Sequence, residues 1–296
     1  MSDTPELTAA DIAGRLNLDK RPRSWRGNCP ECDYSRAFSV RKGRDQRPLL
    51  YCANGCSQAD LARAVSRATN TDWRPPERDT ADEAQQRQRK QEAALRLWRG
   101  SGEASGTLAD IYLRSRGLDG LAGSLALRFR PDCPHLEGGK YPALVAAVQD
   151  AAGKHIAIHR TYLSRDGSGK AKVEPPKASL GPVWGGAVRL DPLAMEIVVG
   201  EGIESAASAG RLFGLPAWAA LSAGNLRKGL VLPPEVRSVV IAADADEPTI
   251  RGLRPGQDAA RAASLRWLAE GRKVRIAVPD RVGADFNDLL VERSHG

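Results

Sequence analysis

The sequence predicts an α/β protein with three parts: a small N-terminal cysteine-rich module, a basic α+β segment, and a C-terminal parallel sheet with helices on both faces. Two observations carry this prediction. Four cysteines stand in two close pairs near the N-terminus, and strand and helix patterns alternate from residue 195 onward. Alternating strands and helices are typical of a parallel sheet that is buried on both faces.

Length and charge limit the possible functions. The chain has 296 residues and a formal net charge of +8, so it accommodates two domains and a small extra module. Basic residues dominate the first two thirds, whereas residues 195–296 contain thirteen basic and thirteen acidic side chains. We therefore expect an anionic partner such as nucleic acid for the first two thirds and a cation site in the last third.

No segment of the sequence has the features of a membrane or export signal. No apolar run approaches the ~20 residues of a membrane span, and the N-terminus lacks a charged-then-apolar pattern. The sequence therefore predicts a cytoplasmic protein, whose cysteines are reduced thiols or metal ligands and not disulfides.

The N-terminal module is predicted over residues 1–69. Residues 8–18 have the pattern of a short amphipathic helix, and residues 57–67 have that of a helix capped by Ser57. Between the helices lie the two cysteine pairs, which are Cys29 with Cys32 and Cys52 with Cys56. Two close pairs separated by about twenty residues are typical of a zinc ribbon, in which four thiolates bind one tetrahedral Zn²⁺.

Basic and aromatic residues are interleaved along this ribbon. We predict that Arg26, Arg36 and Arg41 follow the phosphates of a single strand while the rings stack on its bases. The competing interpretation is that the rings pack a small core and the arginines only keep the module soluble. Phe38 and Tyr51 are the strongest candidates for such packing.

Residues 70–100 are predicted to form a linker followed by a charged helix. The linker is polar and contains Pro75 and Pro76. Residues 83–99 have a charged helical pattern, which favours a solvated connecting helix. Residues 101–192 then alternate short strands with glycine and proline turns, which predicts a small basic α+β segment.

The C-terminal domain is predicted over residues 193–296, and several of its strand patterns end in carboxylates. The acidic residues that follow strand patterns are Glu201, Asp244, Asp246, Asp285 and Asp288. The carboxyl ends of parallel strands meet at one edge of a sheet, so we expect these side chains to lie close together. Crowded carboxylates repel one another unless they bind a cation, and oxygen ligands select Mg²⁺ or Mn²⁺. Solvated loop acids are the alternative.

Several motifs carry a resemblance to a known family. VVGEGIESA, IAADAD and the terminal acidic motif resemble the Toprim domain over residues 195–292, and CPEC with YCANGC resembles the zinc ribbon of DnaG-type primases. The order of ribbon, basic segment and Toprim domain is also that of the family. The chain is most similar to the compact primase-like proteins of phages and mobile elements.

The resemblance implies a DNA primase that synthesises short RNA primers on single-stranded DNA from nucleoside triphosphates, with Zn²⁺ in the ribbon and Mg²⁺ or Mn²⁺ in the Toprim domain. A replicative helicase would be a partner. The catalytic ligands of the cation would be Glu201, Asp244 and Asp246. The residues implied to face template or nucleotide phosphates are Arg160, Lys172 and Lys177. A Toprim nuclease and a non-catalytic DNA-binding protein of a mobile element are the alternatives.

Two positions depart from the family pattern. Ser205 stands where classical primases have an aspartate four residues after the Toprim glutamate, and Asn287 lies in a motif that is usually Asp-x-Asp. We therefore expect one less negative charge at a second metal position. The run NDLLVERS predicts a helix for which Asp285 is a suitable N-cap, so Asp285 either caps that helix or helps to bind a second cation.

Overall fold

The computed structural model describes residues 7–43, 46–71, 73, 80–249 and 252–295. The chain divides into two compact units. The first contains residues up to 79 together with residues 248–253, and the second contains the remainder. The predicted linker prolines, Pro75 and Pro76, lie outside the described residues.

The first unit consists of an antiparallel sheet and two helices. Its strands, β1 to β4 in sheet order, are Asp19–Lys20, Trp25–Gly27, Phe38–Lys42 and Pro48–Cys52. Its helices, α1 and α2, are Ala9–Arg15 and Gln58–Thr69. As predicted, Ser57 caps α2, and its side chain accepts a hydrogen bond from the backbone N–H of Asp60.

An apolar core joins the helices of this unit to the sheet. Alternate residues of β3 and β4 point inward, so Phe38 and Val40 pack beside Leu50. The helices contribute Ile12 and Leu61, both fully buried. The cysteine pairs therefore adjoin a formed hydrophobic core.

Within the described residues, the second unit contains five α-helices and ten strands in two sheets. Helices α3 to α7 are Thr80–Arg99, Leu108–Arg114, Ile203–Phe213, Pro255–Ala269 and Phe286–His295. The antiparallel middle sheet contains, in order, β5 to β9, which are Gly102–Glu103, Leu127–Pro134, Lys140–Gln149, His155–Tyr162 and Lys177–Leu180. The C-terminal sheet contains β10 to β14, which are Val188–Arg189, Glu196–Gly200, Ala217–Ala219, Ser238–Ala242 and Lys273–Ala277.

Helix α3 corrects one expectation from the sequence. Its charged pattern favoured a solvated connecting helix, but its second half packs on the middle sheet. Ala94 and Trp98, four residues apart on one face of the helix, are buried there. The Arg128 guanidinium also lies 4.5 Å from the Trp98 ring centroid. Two apolar residues at helical spacing are sufficient to anchor an otherwise charged helix.

The C-terminal sheet has the predicted parallel architecture. Its order is β10-β12-β11-β13-β14, and all neighbours are parallel except the edge pair of β10 and β12. Strand β11 is buried on both faces. Val198 packs in the same apolar cluster as α5, whereas Ile197 and Val199 pack in the cluster of α6. Helices on both faces explain the continuous apolar runs of these strands.

The middle sheet and the C-terminal sheet share a hydrophobic core. Leu127 and Leu144 of the middle sheet lie in one buried cluster with Val198, Ile203 and Phe286. The segments predicted as 101–192 and 193–296 are therefore packed within a single compact unit.

Candidate metal centres and nucleic-acid interface

Four cysteine sulfurs of the first unit converge on one point. The Sγ atoms of Cys29 and Cys56 are 3.9 Å apart, those of Cys32 and Cys52 are 3.8 Å apart, and all four lie within 4.8 Å of one another. A tetrahedron with Zn–S bonds of about 2.3 Å has edges of about 3.8 Å. The sulfur positions therefore fit the predicted tetrahedral zinc ion.

Two tight turns bring the cysteines of each pair together. After Cys29 the backbone N–H of Asp33 donates to the Cys29 carbonyl, and after Cys52 the N–H of Gly55 donates to the Cys52 carbonyl. Asp33 has a φ of 56° and Gly55 has a φ of 75°. This left-handed conformation is unstrained at glycine and tolerated at aspartate, which explains both residue types.

One face of the ribbon sheet combines an exposed ring with basic residues. Cross-strand pairing places Arg26, Ser39 and Tyr51 in one row, and Arg41 lies on the same face two residues beyond Ser39. Tyr51 is 58% exposed, whereas Phe38 is fully buried. The core-packing interpretation therefore holds for Phe38 and is wrong for Tyr51. We call Arg26, Ser39, Arg41 and Tyr51 the aromatic-basic face.

Arg36 lies in the turn before β3. Its guanidinium is 3.7 Å from the carboxylate of Asp19, which is paired across the sheet with Arg26. Its backbone N–H donates to the Asn28 side chain. Asp19 therefore connects the Arg36 side chain to the strand position beside Arg26, which belongs to the aromatic-basic face.

The predicted carboxylates of the second unit meet at one edge of the parallel sheet. Gly200 at the end of β11 pairs with Ala242 at the end of β13, so Glu201 and Asp244 emerge from neighbouring strands. The loop after β13 forms backbone hydrogen bonds to the residues before α7, since the Ala245 N–H donates to the Ala284 carbonyl. This bond brings the N-terminus of α7 beside the loop. We call Glu201, Asp244, Asp246 and Asp285 the acidic edge.

Helix α5 approaches this edge very closely. A Cβ atom on Gly200 would lie 2.9 Å from the Cα of Ala206. Glycine is therefore required before Glu201, because any side chain would push α5 away from the strand. The glycine of the VVGEGIE motif thus has a packing function.

Electrostatic repulsion at the acidic edge is visible in the pKa values. Burial, and then Asp244 and Asp246, raise the pKa of Glu201 to about 7. Burial also raises the pKa of Asp244 to about 6, with contributions from Asp285 and Asp246. Lys177 opposes both shifts, and the Ser205 hydroxyl donates to Asp244 at 2.7 Å. A bound cation would relieve this repulsion.

The donor set of the acidic edge fits Mg²⁺ or Mn²⁺ with water completing the shell. Among the described residues, only the cysteines bring three or more possible ligand atoms within 4.8 Å of one another. No three carboxylates of the acidic edge therefore bring one oxygen each to within that distance of one another. Mg²⁺ is usually bound through one or two carboxylates and keeps several waters, and it prefers oxygen ligands. Glu201 and Asp244 are the donors that burial and neighbouring carboxylates leave with pKa values of about 7 and about 6.

Asp246 and Asp285 also have structural partners. The Asp246 carboxylate accepts the backbone N–H of Gly256, in the first turn of α6, at 2.6 Å. The Asp285 Oδ1 atom accepts the N–H groups of Asn287 and Asp288 at 2.7 and 2.9 Å. The structure therefore shows Asp285 as the N-cap of α7, while its charge still raises the pKa of Asp244.

Asp288 and Asn287 do not contribute side chains to the acidic edge. The exposed Asp288 carboxylate turns back to the N–H of Asp285 at 3.0 Å, which completes a reciprocal cap. Asn287 is buried, and its amide donates to the Arg116 carbonyl at 2.7 Å and to the Ser208 hydroxyl at 3.0 Å. Asn287 thus ties α7 to α5, and Asp288, which was predicted as a magnesium ligand, instead caps α7.

Arg160 differs from its predicted role as a phosphate contact. It is 4% exposed, and its guanidinium donates to three backbone carbonyls, those of Pro134, Ala178 and Ser179. These bonds tie β8 to the end of β6 and to β9. The alternating direction of side chains along β8 turns Arg160 inward, where it is a structural residue. Lys172, by contrast, is exposed.

Lys177 belongs to a cluster that sequence reasoning missed. Its Nζ lies 3.3 Å from the Glu204 carboxylate, and the Nζ of Lys170 lies 3.4 Å from the other oxygen of that carboxylate. The Tyr112 hydroxyl donates to Glu204 as well. Burial would raise the pKa of Glu204, but Lys177 and Lys170 hold it well below its ordinary range. The only sequence signal was a second glutamate in GEGIES. We call Lys170 and Lys177 the lysine pair.

Two parts of the chain match the models of known families. Residues 196–296 match the model of the Toprim domain. The last third of the chain is a Toprim domain. Every residue of the acidic edge lies within it. Residues 88–190 match a family described as a domain of unknown function (DUF7146), which covers the whole middle sheet.

Several solved structures resemble this chain at low identity. The DnaG primase catalytic domain bound to ssDNA is 18% identical, with 71% of this chain and 78% of that chain covered and a TM-score of 0.48. The Aquifex aeolicus primase (zinc binding and RNA polymerase domains) is 17% identical, with 97% and 80% covered and a TM-score of 0.48. The bacteriophage T7 primase fragment is 14% identical, with 91% and 95% covered and a TM-score of 0.41.

The search of curated proteins found no match to this chain. In the part of the chain that the structure describes, none of the helices combines the length and apolar character that crossing a bilayer requires.

Proposed function

We propose that the protein is a primase-like nucleotidyltransferase that synthesises short RNA primers on single-stranded DNA. The observation that carries this proposal is the position of the lysine pair beside the acidic edge of the Toprim domain. Cation-binding oxygens and phosphate-binding ammonium groups are both needed when a nucleoside triphosphate reacts, because charge develops on the departing phosphates. Lys177 is close enough to influence the pKa values of Glu201 and Asp244.

The residues of the acidic edge would have different roles in this reaction. Glu201, Asp244 and Asp246 would hold Mg²⁺ or Mn²⁺, which when bound would neutralise phosphate charge and orient the attacking 3′-hydroxyl. Glu201 would release its proton as the cation arrives, since its raised pKa reflects burial and neighbouring carboxylates. The Ser205 hydroxyl would fix the orientation of the Asp244 carboxylate through its 2.7 Å hydrogen bond.

The aromatic-basic face of the first unit would bind the single-stranded template. The exposed ring of Tyr51 would stack on a base, while Arg26 and Arg41 would contact the backbone phosphates. The four cysteines and their zinc ion would stabilise the sheet that carries that face. A replicative helicase would be the partner that delivers the template.

One assay separates this proposal from its alternatives. The purified protein is incubated with single-stranded DNA, labelled nucleoside triphosphates and Mg²⁺ or Mn²⁺. New template-dependent oligomers would support the primase proposal. Shortened template without new oligomers would indicate a Toprim nuclease, and binding without either product would indicate a DNA-binding protein; both results would overturn the proposal.

Matched substitutions link the product to the acidic edge. We expect Asp244→Asn to abolish synthesis while the protein stays folded. Asp280→Asn is the control, because Asp280 is an exposed aspartate of the same domain, outside the acidic edge. Equal activity of the two variants would contradict the assignment of Asp244.

The template face has its own test. We expect Tyr51→Ala to weaken binding of single-stranded DNA by about 1–3 kcal/mol, the value of one base stacked on an aromatic ring. Tyr51→Phe keeps the ring and should bind almost as the wild type does. If Tyr51→Ala binds with unchanged affinity across a salt series, stacking on this face is wrong.

A further inference from the structure

Glu204 is a charged side chain in an unusual place. It lies in the first turn of α5 and is only 7% exposed. Burial of a carboxylate is costly unless it is paired and hydrogen-bonded, and Glu204 has three partners that reach it from two other segments of the chain. These partners are Tyr112 of α4 and the lysine pair of the β8–β9 connection and β9. Such a cluster indicates a role beyond packing.

The cluster carries a net positive charge that reaches solvent. One carboxylate faces two ammonium groups, whose side chains are 31% exposed at Lys170 and 35% exposed at Lys177. Each ammonium has three N–H donors, and the pairing with Glu204 uses one of them. The remaining donors are available to an acceptor that approaches from solvent.

The position of Lys177 links this cluster to the acidic edge. Its Nζ lies 4.0 Å from the point where Gly202 would carry a Cβ atom, directly after Glu201. Its charge acts on both Glu201 and Asp244. An anion bound by the lysine pair would therefore lie next to the candidate cation site.

Pairing with Glu204 also fixes two flexible side chains. A lysine side chain that becomes ordered loses rotamer entropy, which opposes binding. In the folded protein much of this entropy is lost before a ligand binds, because Glu204 holds both Nζ atoms in place and Tyr112 holds Glu204.

From this geometry we propose that Glu204 is a positioning residue that holds Lys170 and Lys177 as a preformed cationic site for the phosphate oxygens of a nucleoside triphosphate. The inference rests on the proposed function for the identity of the substrate. The site itself requires only a chain of phosphates, so inorganic tripolyphosphate is a suitable probe.

The proposal predicts that Glu204→Gln changes the affinity for an anion in the direction opposite to the one expected from charge alone. Glu204→Gln removes a negative charge beside the bound anion, which on Coulombic grounds alone would strengthen anion binding. If Glu204 positions the lysines, the same substitution weakens binding, because both ammonium groups lose their anchor. We expect roughly tenfold weaker binding of tripolyphosphate, comparable to the loss of one charge-assisted hydrogen bond.

The experiment is a calorimetric titration of the full-length protein with tripolyphosphate in the absence of divalent cations. The variants are Glu204→Gln, the double variant Lys170→Ala/Lys177→Ala, and the triple variant that combines these changes. The control is Glu292→Gln, which removes an exposed carboxylate paired with Arg281 and should leave binding unchanged. Because Glu204 acts through the lysines, the triple variant should bind no more weakly than the double variant.

Tyr112→Phe gives a second test that leaves every charge in place. It removes the hydroxyl that holds Glu204, and we expect a loss in affinity of a few fold, smaller than that of Glu204→Gln. This variant decides the question if Glu204→Gln does not fold.

Two results would overturn the inference: tighter tripolyphosphate binding by Glu204→Gln, or a further loss of affinity when Glu204→Gln is added to the lysine-free protein. The titration contains neither template nor divalent cation. A failure of primer synthesis in the wild-type protein would therefore refute the proposed function, while the titration would still decide the role of Glu204.

Discussion

Replacement of Glu201 by glutamine should make the protein more stable and less active at the same time. Burial, Asp244 and Asp246 raise the pKa of Glu201 to about 7, so its ionised form is unfavourable in the folded state without a cation. Glutamine keeps the size of the side chain and retains an oxygen that accepts the Ala223 N–H, which bonds the Glu201 carboxylate. Only the charge is lost.

The sign and size of the stability effect follow from this pKa. A carboxyl group with a raised folded-state pKa favours folding at low pH, and that contribution is lost as pH rises from the ordinary value of 4.5 through about 7. At about 1.4 kcal/mol per unit the rise corresponds to roughly 3 kcal/mol, and solvent screening of this partly exposed group reduces the expectation to about 1–2 kcal/mol. Glu201→Gln should therefore be more stable than the wild type by this amount at pH 8, and nearly equal to it at pH 4.5.

The assay is urea unfolding of both proteins at pH 5, 6, 7 and 8 without added Mg²⁺, followed by tryptophan fluorescence. The matched control is Glu196→Gln, because Glu196 is exposed at the start of β11, the strand that ends just before Glu201. The control should show no gain that grows with pH. Added Mg²⁺ should stabilise the wild type more than Glu201→Gln, since the cation removes the repulsion that the substitution has already removed.

A particular result would refute this reasoning. If Glu201→Gln were less stable than the wild type by the same amount at every pH, Glu201 would be a structural acceptor and not part of a repulsive cluster. Loss of activity would then reflect damage to the fold, and the cation site would have to be sought elsewhere on the acidic edge.

Three further predictions concern residues whose roles the structure separates. Cys29→Ser should lower the zinc content below one ion per chain and destabilise the first unit, while the second unit keeps its unfolding transition; metal analysis and thermal unfolding measure this. Arg160→Ala should destabilise the protein by about 2–4 kcal/mol in urea, because three backbone carbonyls lose the charged donor of a buried side chain, whereas exposed Lys154→Ala should be neutral. Asp285→Asn should keep its stability, since asparagine caps about as well, but should raise the Mg²⁺ concentration needed for activity more than Asp288→Asn does.

Each of these predictions has a clear contrary outcome. If purified wild-type protein contained no zinc, the predicted zinc site of the ribbon would be wrong. An Arg160→Ala protein of normal stability with weaker single-strand binding would restore the phosphate role implied by the family resemblance. An Asp285→Asn protein with unchanged Mg²⁺ dependence would leave Asp285 as a cap alone.

Local patterns were sufficient for much of this molecule. The cysteine spacing predicted the four-sulfur cluster, because two short turns bring each pair together without help from the rest of the chain. The helix capped by Ser57 was predicted over residues 57–67 and is observed as Gln58–Thr69. The meeting of Glu201 and Asp244 followed from a general rule, since parallel strands present their carboxyl ends at the same edge.

The roles of individual charged residues could not be predicted in this way. Arg160 and Lys177 both looked like phosphate contacts, but Arg160 is buried among backbone carbonyls, and nothing in the strand pattern showed that Lys177 pairs with Glu204. Asn287 looked like a neutral substitute for a metal ligand, but it joins two helices.

The sequence by itself thus determined the kinds of elements, the zinc cluster and the acidic edge, whereas only the tertiary structure decided which charges are buried and which face the site. The Tyr112 hydroxyl meets Glu204 across 92 residues of sequence, and Lys177 reaches it across 27. The physical reason is that periodicity and spacing are local properties, while the burial and pairing of a charge depend on which distant element packs against it.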